Sequence, residues 1–218
     1  MLNMYSKTER IHRQTRFLTK GIMMVLFDFA IAQSDLKSFE LGAQFSTIRA
    51  DRFDPRLSPG KRVWDPGFGG RFTANVTNNI GIEAEINYFP NVDESDRLGN
   101  KTQGLFGLKV GQRGEKFGVF AKLRPGFMRF ASVFDCPGTD TSSCGRFAKT
   151  YFSFDFGGVG EFYPSHRTVV RFDVGDTVIR FNRITVPDAI SDVPRATHPI
   201  KGATTHNLQL GIGVGIRF

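Results

Sequence analysis

Asn207-Leu208-Gln209-Leu210-Gly211-Ile212-Gly213-Val214-Gly215-Ile216-Arg217-Phe218 is the stretch on which the reading of this chain turns. Leu208, Leu210, Ile212, Val214, Ile216 and Phe218 are apolar, and every residue between them is polar or glycine. Successive side chains of a β-strand point to opposite faces, so this spacing makes one greasy face and one small, polar face. In a chain that is 40% apolar, six apolar residues at six alternate positions arise by chance with a frequency of about 0.004. The segment reads as a strand.

Working outward from it, the same period of two returns seven times. Phe39, Leu41, Ala43 and Phe45 alternate with Glu40, Gly42, Gln44 and Ser46, and Phe68, Phe72, Ala74 and Val76 with Gly69, Arg71, Thr73 and Asn75. Asn78-Asn79 predicts a tight hairpin, because asparagine tolerates positive φ. Ile80, Ile82, Ala84, Ile86 and Tyr88 then oppose Gly81, Glu83, Glu85 and Asn87, and Phe106, Leu108 and Val110 oppose Gly107, Lys109 and Gly111. A strand from Phe117 to about Phe130 points Lys122 and Arg124 to its polar face; the next sets Phe152, Phe154, Phe156 and Phe162 against Tyr151, Ser153, Asp155 and Glu161. The seventh sets Val170, Phe172 and Val174 against Arg171 and Asp173. Near Pro125 and near Gly175-Asp176 the alternation slips, which predicts a bulge or the point at which the strand leaves the membrane. Connections are long at about 50–66, 90–103, 131–149 and 182–205, and short at 78–79, 113–116 and 163–167, in strict alternation.

Period two alone does not say which face is inside. Residue character decides. Arg71, Glu83, Glu85, Lys109, Lys122, Arg124, Asp155, Glu161, Arg171 and Asp173, with several glycines among them, can fill a narrow interior as paired charges. Phe, Leu, Ile and Val cover the other face of every strand, and about 9–11 tilted residues cross the core of a bilayer. A closed barrel is the only sheet that leaves no unpaired edge in lipid. The fold class read here is all-β, an eight-stranded antiparallel up-and-down transmembrane β-barrel, and no apolar run reaches the roughly 20 residues of a membrane-spanning helix.

Residues 1–32 read as a secretory signal peptide: a basic stretch to Lys20, an apolar stretch Gly21–Ile31 interrupted by Asp28, and Ala30-Ile31-Ala32 as the small residues of a cleavage site before Gln33. Residues 33–218 form the single mature domain. The net charge of +8 would suit nucleic acid, but the leader holds part of it and the rest is scattered singly, so no nucleic-acid partner is expected. The only cysteines, Cys136 and Cys144, bracket turn-forming residues with no histidine nearby, so an exported chain would bridge them, and neither a metal nor any other cofactor is expected.

An export signal, eight alternating strands, short turns on one side, four long loops on the other and a final strand ending Arg217-Phe218 resemble the small outer-membrane barrels similar to OmpX and the OmpA transmembrane domain. The resemblance spans residues 37–218 and implies a location in the outer membrane of a Gram-negative bacterium, with contacts to membrane lipid and lipopolysaccharide. It implies that Leu210, Ile212, Val214, Ile216 and Phe218 are the signal read by the barrel assembly machinery after periplasmic chaperones deliver the chain. Unlike full-length OmpA, no peptidoglycan-binding domain is expected after the barrel.

Motifs that could carry chemistry are weak. Gly67–Gly70, Gly157–Gly160 and Gly211–Gly215 open no helix of a βαβ unit. Ser165-His166 falls on a short turn. His198 and His206, with Asp188, Ser191, Asp192 and Asn207, fall on the side where barrel enzymes acting on lipopolysaccharide keep their residues, but a histidine and a serine two apart on one strand face are missing. The expectation is therefore a non-enzymatic anchor displaying four loops for structural, adhesive or surface-interaction roles. Arg49–Asp65 and Arg183–Lys201 suit lipopolysaccharide or an extracellular ligand. A small porin-like channel is the alternative and a lipopolysaccharide-modifying enzyme the second, and eight strands leave an interior only wide enough for side chains.

Overall fold

The computed structural model of the chain describes residues 38–51, 55, 62–91, 98–135, 144–187 and 197–218, with the backbone alone at 185–187 and 197–198. The strands are β1 (Phe39–Asp51), β2 (Arg62–Asn75), β3 (Ile80–Phe89), β4 (Lys101–Arg113), β5 (Phe117–Asp135), β6 (Gly145–Ser165), β7 (Thr168–Phe181), β8 (Ile184–Pro187), β9 (Thr197–Ile200) and β10 (Ala203–Arg217). Eight of them close into one antiparallel barrel in the order β1-β10-β7-β6-β5-β4-β3-β2. The opening sequence stretch is β10, and it closes the barrel against β1 in a register running from Glu40 opposite Arg217 to Ile48 opposite Gln209. Phe39 and Phe218 exchange both backbone hydrogen bonds at the foot of this seam, at 3.0 and 2.9 Å.

Burial alternates as the residue pattern requires, with the apolar set outside. Phe68, Phe106, Phe117, Val119, Ile216 and Phe218 are all exposed on the outer wall. Aromatic pairs gird the wall near both ends: Phe39 stacks on Phe72 and touches Phe218, and Phe68 meets Tyr88. A wall apolar outside and charged inside suits lipid and not water. Among the described residues no helix is long and apolar enough to cross a membrane, which has no bearing on crossing by strands. Inward glycines let neighbouring strands approach: a β-carbon at Gly107 would collide with the Leu123 carbonyl oxygen, and one at Gly157 with that of Val174.

The structure corrects several element boundaries. The strands run well into the stretches expected as long loops, so β2 starts at Arg62, β4 at Lys101, β5 ends at Asp135 and β6 begins at Gly145. Between Phe181 and Ala203 lies a further small hairpin, β8 paired with β9. The reason is chemical: towards the long-loop end the two faces exchange polarity without any slip in register. On β5, Met128 and Phe130 point in and Arg129 points out; on β7, Ile179 and Phe181 point in and Arg180 points out. Pairing continues in register past Pro125 and past Gly175-Asp176, so neither is a bulge. The register shifts are at Phe130/Val133 and Phe162/Ser165.

Turn chemistry differs in detail as well. The β2–β3 turn spans 76–79 and rests on Thr77, whose Oγ1 accepts from the Asn79 and Ile80 N–H groups, so the asparagine pair is not a two-residue hairpin. The β6–β7 turn is shorter than expected, residues 166–167, and the Ser165 hydroxyl hydrogen-bonds Thr168 at 3.0 Å. Ser165-His166 thus serves the turn.

Candidate functional site

Among the described residues the barrel interior is where many ionisable groups converge, and it is layered. Lowest, at the short-turn end, Lys109 lies between Glu161 and Glu40, and Arg113 reaches Glu40 at 3.0 Å and Glu161 at 3.4 Å. Arg113 Nε also donates to the Tyr163 hydroxyl at 2.9 Å, which itself donates to Glu161 at 2.6 Å. Arg217 lies over the Tyr163 ring, 4.5 Å from its centroid, and 3.3 Å from Glu40. This floor ties β1, β4, β6 and β10 together.

In the middle layer Arg171 forks between Glu83 and Asp173, and Arg124 forks between Asp155 at 2.7 Å and Glu85 at 2.6 Å. Lys122 bridges Asp155 and Asp173 at 3.1 and 3.3 Å. Arg71 donates to Gln44 at 3.1 Å and stands 3.9 Å from Asp173. Such charges sit inside because the outer wall must be apolar, and pairing offsets the desolvation that an isolated charge would suffer. Above them an amide layer links Gln44, Asn87, Gln103 and Gln209 by side-chain hydrogen bonds of 2.8–3.0 Å. Lys101 pairs with Asp65 at 2.9 Å at the same end.

The top layer is apolar. Ile48, Ala50, Phe89, Leu98, Met128, Phe130, Val133, Tyr151, Ile179 and Phe181 form one buried cluster across the barrel mouth. Tyr151 and Phe181 rings lie 4.7 Å apart, and Phe130 touches both. An ion-pair network below and an apolar cluster above thus occupy the interior among the described residues.

All ten expected interior charges, Arg71, Glu83, Glu85, Lys109, Lys122, Arg124, Asp155, Glu161, Arg171 and Asp173, lie in this network. The expected interior charges did not include Glu40 and Arg217, although both fall on the polar faces of their strands, nor Arg113, taken into a short turn, nor Asp65 and Lys101, hidden in stretches taken for loops. The apolar cap was missed altogether. Leu210, Ile212, Val214, Ile216 and Phe218 face outward along β10. His206 and Asn207 are not one site, because they lie on opposite faces of β10: His206 Nδ1 stands 2.6 Å from Asp176 on the outer wall, while Asn207 is buried and donates to the Thr177 carbonyl. Asp188, Ser191, Asp192 and Cys136 lie outside the described residues, as does the His198 side chain. Among the described residues no three His, Cys, Asp or Glu side chains are grouped to hold a metal.

A closed eight-stranded antiparallel barrel with an apolar outer wall, aromatic girdles and a charge-filled interior is the fold of small bacterial outer-membrane proteins. Among solved structures, Neisserial surface protein A matches it with a TM-score of 0.51 and 11% identity over 83% of this chain and 97% of that one. OprG from Pseudomonas aeruginosa (TM-score 0.49, 11% identity, 83% and 95% covered) and Ail, the attachment invasion locus protein of Yersinia pestis (0.42, 14%, 83% and 97%), are more distant in shape. At such identities the likeness establishes the fold. No known sequence family matches the chain, and no curated protein matches it.

Proposed function

We propose that this protein is a non-conducting, non-enzymatic barrel of the Gram-negative outer membrane that carries its long-loop end outward for contact with the cell's surroundings. The observation that carries this reading is the doubly closed interior, an ion-pair network below the apolar cap from Ile48 to Phe181. The extracellular end is then a surface, held up by strands that continue as a water-facing wall. Support against catalysis is chemical: His206 and Asp176 pair on the outer wall with no Ser, Thr or Cys side chain hydrogen-bonded to the imidazole among the described residues, and a histidine–carboxylate pair needs a nucleophile or activated water to do chemistry.

In the same reading residues 1–32 are removed on export, β10 with its terminal phenylalanine is presented to the assembly machinery, and Cys136 and Cys144 bridge the third outer connection. Such a small ring contributes only about 2–3 kcal/mol in the chain-entropy model, so it shapes the loop and not the barrel. The deciding experiment is a planar-bilayer recording of the purified mature protein. No steady conductance is expected. Discrete steps whose ion selectivity changes on Glu83→Gln or Lys122→Gln substitution would replace the display reading with the channel one.

A further inference from the structure

The charges of the barrel interior do not cancel evenly from end to end. The upper pair, Lys101 with Asp65, balances, and so do Arg71, Lys122, Arg124 and Arg171 against Glu83, Glu85, Asp155 and Asp173. The floor does not: Lys109, Arg113 and Arg217 face only Glu40 and Glu161 there, which leaves one positive charge in excess at the short-turn end. Contacts between the two layers run once in each direction, Lys109 to Glu83 at 3.8 Å and Arg171 to Glu161 at 3.5 Å, so they do not redistribute it. Arg113, whose side chain is only 7% exposed, also keeps a buried Nη1 with no hydrogen-bond partner.

The same sector carries free cations on its turns. Lys116 on the β4–β5 turn and Arg167 on the β6–β7 turn are exposed, and neither side chain has an ion pair or hydrogen bond among the described residues. Each is pinned to the floor through its backbone: the Lys116 carbonyl accepts from the Tyr163 N–H and the Arg167 carbonyl from the Arg217 N–H, both at 2.8 Å. Arg113 and Arg217 in turn lie over the Tyr163 ring. The two tips stand two strand spacings apart, roughly 10 Å. Glu115 is the one carboxylate on the short turns among the described residues, and the β2–β3 turn further round the ring, residues 76–79, carries no charge.

A cationic sector whose inner members face the barrel axis and whose outer members stand free suits an anionic partner that arrives from the water below the barrel. Lipid phosphates are held outside the wall, beyond the outward Phe117 and Phe218, whereas Arg113 and Arg217 point inward. A guanidinium fork matches the two oxygens of a carboxylate. We propose that Lys116 and Arg167, backed by Arg113 and Arg217, form a docking face for a polycarboxylate on the periplasmic side, and that the carboxylate-bearing peptides of the cell wall are the partner with that chemistry. The proposal rests on the outward orientation of the long-loop end argued above. Each exposed contact is weak alone, so retention comes from repetition along the polymer and falls as salt rises.

The test is co-sedimentation of the full mature protein, held in phosphatidylcholine nanodiscs that leave both ends accessible, with purified cell-wall sacculi. Parallel samples contain sacculi whose carboxylates have been converted to amides, or native sacculi with phosphatidylglycerol vesicles as competitor. Retention on native sacculi is expected, falling about tenfold on amidated sacculi and about tenfold for the Lys116→Gln/Arg167→Gln variant, and unaffected by the vesicles. Both substitutions lie on exposed turns, and heat-modifiable gel mobility shows that the variant is folded. Arg49→Gln/Arg129→Gln, which removes charges at the other end, should sediment like the unaltered protein. Equal retention on amidated sacculi, displacement by phosphatidylglycerol, or unchanged retention of the folded Lys116→Gln/Arg167→Gln variant overturns the proposal. Protease treatment of intact cells tests the orientation separately. Long loops cut only after the outer membrane is opened would overturn the display reading and the periplasmic placement together, whereas loops cut on intact cells with no sedimentation would overturn the docking face alone.

Discussion

Arg171 has no exposed surface and spends its guanidinium on Glu83 and Asp173. Truncating one partner of a buried pair leaves the other charge without compensation, whereas replacing both by apolar groups removes the problem. Arg171→Met is therefore expected to cost about 3–5 kcal/mol in urea unfolding of the refolded barrel, and Glu83→Leu added to it should cost less than the sum of the two single changes. Additive losses would show that the two side chains do not act together. Glu83 and Arg171 were legible from period two alone, since each alternates with the outward apolar residues of its strand at the right parity. Lys101 and Asp65 were not, because apolar side chains such as Phe89 and Leu105 also face the interior at their level and the contrast between faces is lost.

At the scale of the element, β5 and β7 show what a pattern of polarity can and cannot tell. The strands stay in register, but a test for apolar residues at alternate positions reads the exchange at Phe127–Arg129 as a break. The pattern reports the solvent on each face as much as the direction of the side chains. The β6–β7 turn was overestimated in length for a related reason: Pro164 and Ser165 read as turn residues but, with Tyr163, still belong to β6. The seam between β1 and β10 was legible and leads to a prediction. Phe218 makes both backbone hydrogen bonds to Phe39 and packs against its ring at 6.1 Å, so its deletion should lower the yield of heat-modifiable, folded barrel severely. Deleting one residue from the connection between β8 and β9 should have little effect. Comparable yields from the two deletions would detach the terminal aromatic from assembly.

For the whole molecule the barrel architecture followed from β10 outward, because eight strands with one greasy face each have few ways to satisfy their edges. The packed mouth did not, since it depends on side chains from β1, β3, β5, β6 and β7 meeting across the interior. Exported protein should sediment with the outer membrane and migrate faster on gels before heating than after. Its intact mass should correspond to a start at Gln33 and to a chain two hydrogens lighter than the reduced form, from the Cys136–Cys144 bond. A soluble periplasmic pool without heat-dependent mobility would end the membrane reading; a mass with two free thiols would end only the bridge.

The exchange of polarity along the wall also acts as a waterline. Were the barrel to sink by one outward residue pair, Arg129 and Arg180 would enter the acyl chains, at a cost of up to about 2–4 kcal/mol each near the midplane and less near the surface. Were it to rise, Trp64 and Phe152 would leave the lipid. Its draught is therefore set from both directions, and the tips stand at a constant height. Whether they clear the sugar layer around them becomes a matter of how long that neighbouring saccharide is, so a cell that lengthens its surface glycan would mask the tips without altering the protein at all.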